Sequence, residues 1–195
     1  MRLFFVCLTV VCLLFLLLSC TPTASRNPFA YADTAFSVTV EGTYLPAGDA
    51  EGTPRPFSAE IAAGAPVNGD PTLRDLTVTF TSPDTLAGLT VTATLSTAPD
   101  GTVERVVSMV YPSEYGDVAS TVEGTGLDGL LRFAEALLPF GDTAAIYPKA
   151  AGGSYTVIRK AQGREATFSF THGLPFPTRI TVATPREILE LAVLP

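Results

Sequence analysis

Residues 76–97 read LTVTFTSPDTLAGLTVTATLST. Leu76, Val78 and Phe80 alternate with Thr77, Thr79 and Thr81, and after the break at Ser82-Pro83 the rhythm resumes through Leu89, Val91, Ala93 and Leu95, set against Thr90, Thr92, Thr94 and Ser96. Successive side chains on a strand point to opposite faces, so a period of two predicts two strands, each apolar on one side and hydroxylated on the other. Strands of that kind belong to an antiparallel sheet with one face on the core and the other in water.

The same alternation spreads outward along the chain. Phe36, Val38 and Val40 form one apolar row, and Phe57, Ala59 and Ile61 another. Pro99-Asp100-Gly101 is a hairpin signal that returns the chain through residues 103–110. Further strands are expected at 154–160 and 165–171, turned at Gln162-Gly163, and then at 179–184 and 188–193, which makes eight or nine in all. One segment breaks the period: Leu127, Leu130, Leu131, Ala134, Leu137 and Leu138 recur at helical spacing, with Asp128, Arg132 and Glu135 between them. The spacing predicts a helix from about Asp128 to Leu138, capped by Thr125 or Asp128 and stopped by Pro139 and Gly141. Its leucines must be buried, and the apolar side of the sheet is the available partner. The expected fold class is α+β, a curved antiparallel sheet with a helix packed on its concave face, forming one domain over residues 35–195.

Ahead of that domain the chain begins MRLFFVCLTVVCLLFLLLSC and turns abruptly polar. Arg2 is the one charge before an apolar run from Leu3 to Leu18, sixteen residues that would span about 24 Å as a helix, short of the ~30 Å hydrocarbon core. The run ends in Leu17-Leu18-Ser19-Cys20, which resembles a bacterial lipobox. Residues 1–19 then read as a lipoprotein signal peptide and Cys20 as the residue that receives a diacylglycerol, with residues 20–34, carrying Pro22 and Pro28, as a flexible tether. Ordinary cleaved secretion and an uncleaved anchor are the alternatives. Cys7, Cys12 and Cys20 are the three cysteines, so the domain expected after them has no disulfide or thiolate metal site.

Charge excludes one class of partner. Twelve Lys and Arg stand against nineteen Asp and Glu, singly or in pairs, which argues against a nucleic-acid-reading surface. The single histidine, His172, stands beside a turn, where a surface role is the ordinary one, and no nucleophile, zinc or phosphate-loop motif accompanies it. Gly124-Thr125-Gly126-Leu127-Asp128-Gly129 lacks the βαβ setting of a dinucleotide fingerprint. Asp117, Glu123, Asp128 and Glu135 gather near the helix entry without the spacing that would mark a pair of catalytic acids. No catalytic constellation, metal site or cofactor site is expected.

With the strands placed, residues 76–89 resemble the "strand, Pro, x, x, Leu, x, Gly, Leu, strand" segment of Gram-positive lipoproteins related to the LolA, LppX and RseB superfamily. Residues 173–180, GLPFPTRI, are similar to the entry into the C-terminal strand of those proteins. The resemblance implies a half-barrel, an incomplete antiparallel barrel whose apolar concavity holds acyl chains, and it implies no enzymatic activity. It departs from the LolA carrier in two respects: the long N-terminal helix of the carrier is replaced by a short Pro-containing segment, and a lipid on Cys20 would fix this chain in place.

The reading reached is a non-enzymatic lipoprotein, anchored to a membrane on its extracytoplasmic side, that binds a hydrophobic ligand or lipid moiety. Phe80, Leu89, Val91, Leu131, Leu138 and Phe168 are the candidate lining residues, although any closed core would use the same side chains. The rival readings are a surface interaction or sensing module whose concavity is filled, and an envelope hydrolase acting through the acids near Asp128. Labelling of the expressed protein with radioactive palmitate is expected to be abolished by Cys20→Ala. Undiminished labelling of that variant would remove Cys20 as the acceptor.

Overall fold

The computed structural model describes residues 27–46, 52–98, 101–113, 116, 118–122, 128–148, 153–161 and 163–195. Residues 1–19 and Cys20 lie outside them, as do Asp117, Glu123 and 124–127 of the glycine-containing stretch.

Alternation becomes sheet throughout the chain. The strands are β1 (Phe36–Pro46), β2 (Arg55–Ala63), β3 (Leu76–Ser82), β4 (Thr90–Thr97), β5 (Val103–Tyr111) and β6 (Val118–Val122), followed by a helix α1 (Asp128–Glu135) and then β7 (Asp142–Pro148), β8 (Ser154–Ala161), β9 (Arg164–Thr171), β10 (Pro177–Thr184) and β11 (Glu187–Val193). All eleven strands of the described residues join one antiparallel sheet in the order β6-β5-β4-β3-β2-β1-β11-β10-β9-β8-β7. The sheet is curved and open. β6 and β7 follow one another in sequence yet form its two edges, and α1 lies in the passage between them.

Register keeps the apolar rows in line. Val38 faces Ile61, Ile61 faces Val78, and Val78 faces Val91, so one face carries a continuous apolar band across β1–β4. All four side chains are buried, at 8% exposure or less, while Ser37, Thr39 and Glu60 on the other face are exposed or half-buried. The β3–β4 connection that opened the sequence reading is tied at its neck by Gly88 N–H to Phe80 O at 2.8 Å and Phe80 N–H to Leu89 O at 2.9 Å. Gly88 has φ +83°, and a Cβ there would meet Pro112 Cγ at 2.5 Å, so glycine is required on both counts.

The apolar band is covered by two segments. The first is α1, which packs against β2, β3 and β4. Leu131, Ala134 and Leu137 are fully buried, and Phe133 lies against Phe57 and Phe80 with ring centroids 4.5 Å and 5.5 Å away. The helix ends sooner than its leucine spacing predicts, at Glu135 rather than Leu138. Leu137 N–H and Leu138 N–H bond three residues back, to Ala134 O and Glu135 O, so a tightened final turn keeps both leucines in the buried stripe.

The second cover is the segment before β1. Expected as tether up to residue 34, it instead forms a 3-10 turn, Ala30–Asp33, with Phe29, Tyr31 and Ala32 buried. The packed chain therefore begins ahead of Ala35. Phe29 sets its ring edge-on to Phe168 and Phe170, at 5.0 Å and 5.6 Å, and the Arg159 guanidinium lies 5.1 Å from the Phe29 ring centre. The physical reason is the aromatic spacing at Phe29, Tyr31 and Phe36, which gives this short segment enough apolar surface to repay its ordering.

Two polar contacts lock these covers in place. Arg74, the one buried charged residue among those described, donates Nε to Pro71 O at 2.9 Å, Nη1 to Thr34 O at 3.2 Å, and Nη2 to Ala32 O. The Tyr31 hydroxyl donates to Leu137 O at 2.5 Å, joining the two covering segments. Burial pushes the Tyr31 phenol well above its ordinary value of 10.0, against the opposing pull of Arg74 and Arg159. Arg74→Ala, which strands three carbonyls, is expected to cost about 2–4 kcal/mol in denaturant unfolding; a loss under ~0.5 kcal/mol would contradict the clamp. The raised phenol pKa sets a sign. Below about pH 10 Tyr31 is neutral in both states and its contribution is complete, and as the pH rises further the unfolded chain ionises first, so stability falls. Tyr31→Phe is expected to cost about 1 kcal/mol at neutral pH and to flatten this alkaline decline.

Candidate functional site

At the end of the sheet where β1 finishes, β2 begins and β3 finishes, a gap lies between α1 and the strand ends. The gap is a cleft of about 390 Å³ lined by residues of β1 and β2, the β3–β4 loop and α1. Its floor is aromatic. Phe57 and Phe80 come from the apolar rows of β2 and β3, Phe133 comes from α1, and Tyr44 stands 6.2 Å from Phe133 by ring centres. Pro56, Pro83, Leu86 and Leu130 extend the apolar wall toward solvent, Leu86 and Leu130 being half-buried. The Pro83 end follows from the local sequence: the Ser82–Pro83 peptide bond is cis, and Pro83 O accepts from Leu86 N–H at 2.8 Å, closing a turn that holds Leu86 beside the opening.

The polar part of the cleft is cationic. Arg132 lies 5.2 Å over the Tyr44 ring, donates to the Tyr44 hydroxyl at 3.0 Å, and pairs with the Glu187 carboxylate of β11. Tyr44 donates to the same carboxylate at 3.1 Å, closing a triangle that fixes the helix to β1 and β11. Burial and the hydrogen bond to Glu187 raise the Tyr44 phenol above its ordinary range, with Arg132 pulling the other way. Arg55, exposed, stands directly opposite Tyr44 in the β1–β2 register. Glu135, the last residue of α1, pairs with Arg105 at 2.8 Å.

The six residues expected to line a ligand site all fall in one core cluster, where the structure divides them. Phe80 lines the cleft. Leu89, Val91, Leu131, Leu138 and Phe168 are packed at 6% exposure or less, away from it, because α1 and the segment around Phe29 occupy the space in front of the strands. The cleft residues beyond the sequence reading are Tyr44, Arg55, Phe57, Leu86, Leu130, Arg132 and Phe133. Tyr44 was open to discovery by extending the parity of Val38 and Val40 past Gly42. Phe133 was open in the same way, three residues after Leu130 and four before Leu137 on the helical period.

A larger groove of about 720 Å³ lies on the other side of the sheet, between residues 37–39, 174–178 and 193–195. Its one charged side chain is Glu60, and it holds a single aromatic ring, Phe176. His172 is exposed, with its backbone N–H bonded to Gly153 O at 2.7 Å. Among the described residues no group of three or more His, Cys, Asp or Glu side chains could hold a metal ion.

No family model and no curated protein matches the chain. Solved structures to which it is similar include a DUF1329 family protein from Desulfovibrio piger, at 9% identity and a TM-score of 0.41, covering 85% of this chain and 87% of that one. They also include a LolA superfamily protein from Nitrosomonas europaea, at 10% identity and 0.43, covering 88% and 91%. A third is a putative outer membrane lipoprotein-sorting protein domain from Vibrio parahaemolyticus, at 10% and 0.43, covering 86% and 87%.

Proposed function

We propose that the protein is an extracytoplasmic lipoprotein, held at a membrane by lipid on Cys20, whose domain takes up a hydrophobic ligand or lipid moiety in the cleft between α1 and the ends of β1, β2 and β3. The cleft carries this reading: it sets three phenylalanine rings and half-buried leucines around an open space in the size range of ligand pockets. In this account the sheet is a half-barrel, α1 lies on its concave face, and the ligand enters the gap between the helix and the strand ends.

A second reading, an interaction or sensing module with a filled core, draws on a specific observation. Leu131 and Phe168 are fully buried, so most of the apolar face is already covered by protein. The two readings differ only at the cleft, and the acids of the hydrolase reading gain nothing there. Glu135 is engaged by Arg105, and among the described residues no carboxylate side chain lines the cleft.

The test is native mass spectrometry of the domain without its leader, purified from membranes without detergent, together with uptake of a fluorescent fatty acid. A co-purifying lipid-sized adduct and saturable uptake are expected. Leu130→Glu, which sets an unpaired charge in the apolar wall, is expected to weaken uptake at least about tenfold with the melting temperature nearly unchanged. A ligand-free mass with no uptake would overturn the binding reading.

A further inference from the structure

The cleft departs from the rest of the molecule in charge. The chain has nineteen acidic and twelve basic residues, yet among the described residues the side chains lining the cleft include two arginines and no Asp or Glu. Arg132 is taken up by Glu187 and Tyr44. Arg55 is not: among the described residues it enters no ion pair and no side-chain hydrogen bond.

The position of Arg55 adds a second observation. It belongs to the row Arg55, Phe57, Ala59, Ile61 and Ala63, of which the last four are buried on the apolar face. Parity calls for an apolar side chain at that place, and the chain supplies a guanidinium at the mouth, on the same face as Tyr44 opposite it. A cation that ends an apolar row, next to an aromatic floor, matches a molecule with a hydrocarbon tail and an anionic head. A space of about 390 Å³ is near the lower end of ligand pockets and fits one chain better than two.

We infer that the cleft selects single-chain amphiphiles with an anionic head, carboxylate or phosphate monoester, the tail lying against Phe57, Phe80 and Phe133 and the head on Arg55. This rests on the hydrophobic-ligand reading and deepens it. Arg132 takes no direct part: its pairing with Glu187 holds the helix wall and neutralises its charge, which leaves Arg55 to meet the head. The guanidinium is exposed, so its attraction is screened by salt and is expected to weaken as ionic strength rises.

The experiment compares binding of a dansyl-labelled undecanoate and of its primary amide to the full mature protein. The tails are identical, so only the head differs. The carboxylate is expected to bind roughly fivefold more tightly at low salt, the scale of one exposed ion pair. Arg55→Gln is expected to bring the two probes level and to leave the amide within about twofold of wild type. Equal binding of both probes by the wild type, or a preference that survives Arg55→Gln, would overturn the head-group selection while leaving hydrophobic binding intact. Failure of both probes to bind would remove the hydrophobic-ligand reading and this inference with it. Laurate and dodecyl phosphate, tried as competitors, distinguish the two head chemistries, and displacement by dodecanol at the same concentration would count against both.

Discussion

The Tyr31 hydroxyl reaches across to Leu137 O, and the covering of the sheet depends on what meets there. Eleven strands with one apolar face form a surface too long for the eight-residue helix α1 to cover. The chain solves this with two pieces taken from far apart in sequence, 106 residues separating the two bonded groups. α1 covers the β2–β4 side, and the segment around Phe29 covers β9. Arg74 fixes the second piece from below, through carbonyls of Ala32 and Thr34. A buried guanidinium without such acceptors would be destabilising by several kcal/mol, so the clamp and the N-terminal segment require each other.

The topology explains why a cleft is left where it is. β6 and β7 are neighbours in sequence and the two edges of the sheet, so the chain must cross the apolar face between them. The crossing segment packs tightly where Leu131, Ala134 and Leu137 sit against the strands. Arg132, in the last turn of the same helix, is fastened to Glu187 and Tyr44, a polar contact beside the cleft.

Most of the sheet was legible because burial on one face writes a period of two into the sequence, which β1 to β4 and β9 to β11 carry, while β5 was placed by the hairpin signal at Pro99-Asp100-Gly101. β6 and β7 do not carry it. β7 is an edge strand, with Ile146 and Tyr147 at 59% and 58% exposure, and an element solvated on both sides imposes no alternation. The helix was legible from its leucines, while its early end at Glu135 is a tertiary effect of the turn toward β7. The Phe29 segment was hidden behind Pro28 and its polar surroundings, since three aromatics over eight residues acquire meaning only against Phe168 and Phe170. Of the cleft, Phe80 was read as lining, while Tyr44, Phe57, Leu130 and Phe133 continue apolar rows of β1, β2 and α1 without having been assigned to it. The remaining lining comes from residues where a pattern stops, such as Arg55 at the end of an apolar row, and sequence periodicity reports where patterns hold.

The central claim is that the open space between α1 and the ends of β1, β2 and β3 is where a hydrophobic chain lodges. Photo-crosslinking of the mature protein with a diazirine-bearing fatty acid, followed by peptide mapping, tests it most directly. Adducts are expected on residues 55–57, 80–86 and 129–133, competed away by unlabelled fatty acid. Adducts concentrated on residues 174–178 and 193–195, or spread without competition over the surface, would contradict it.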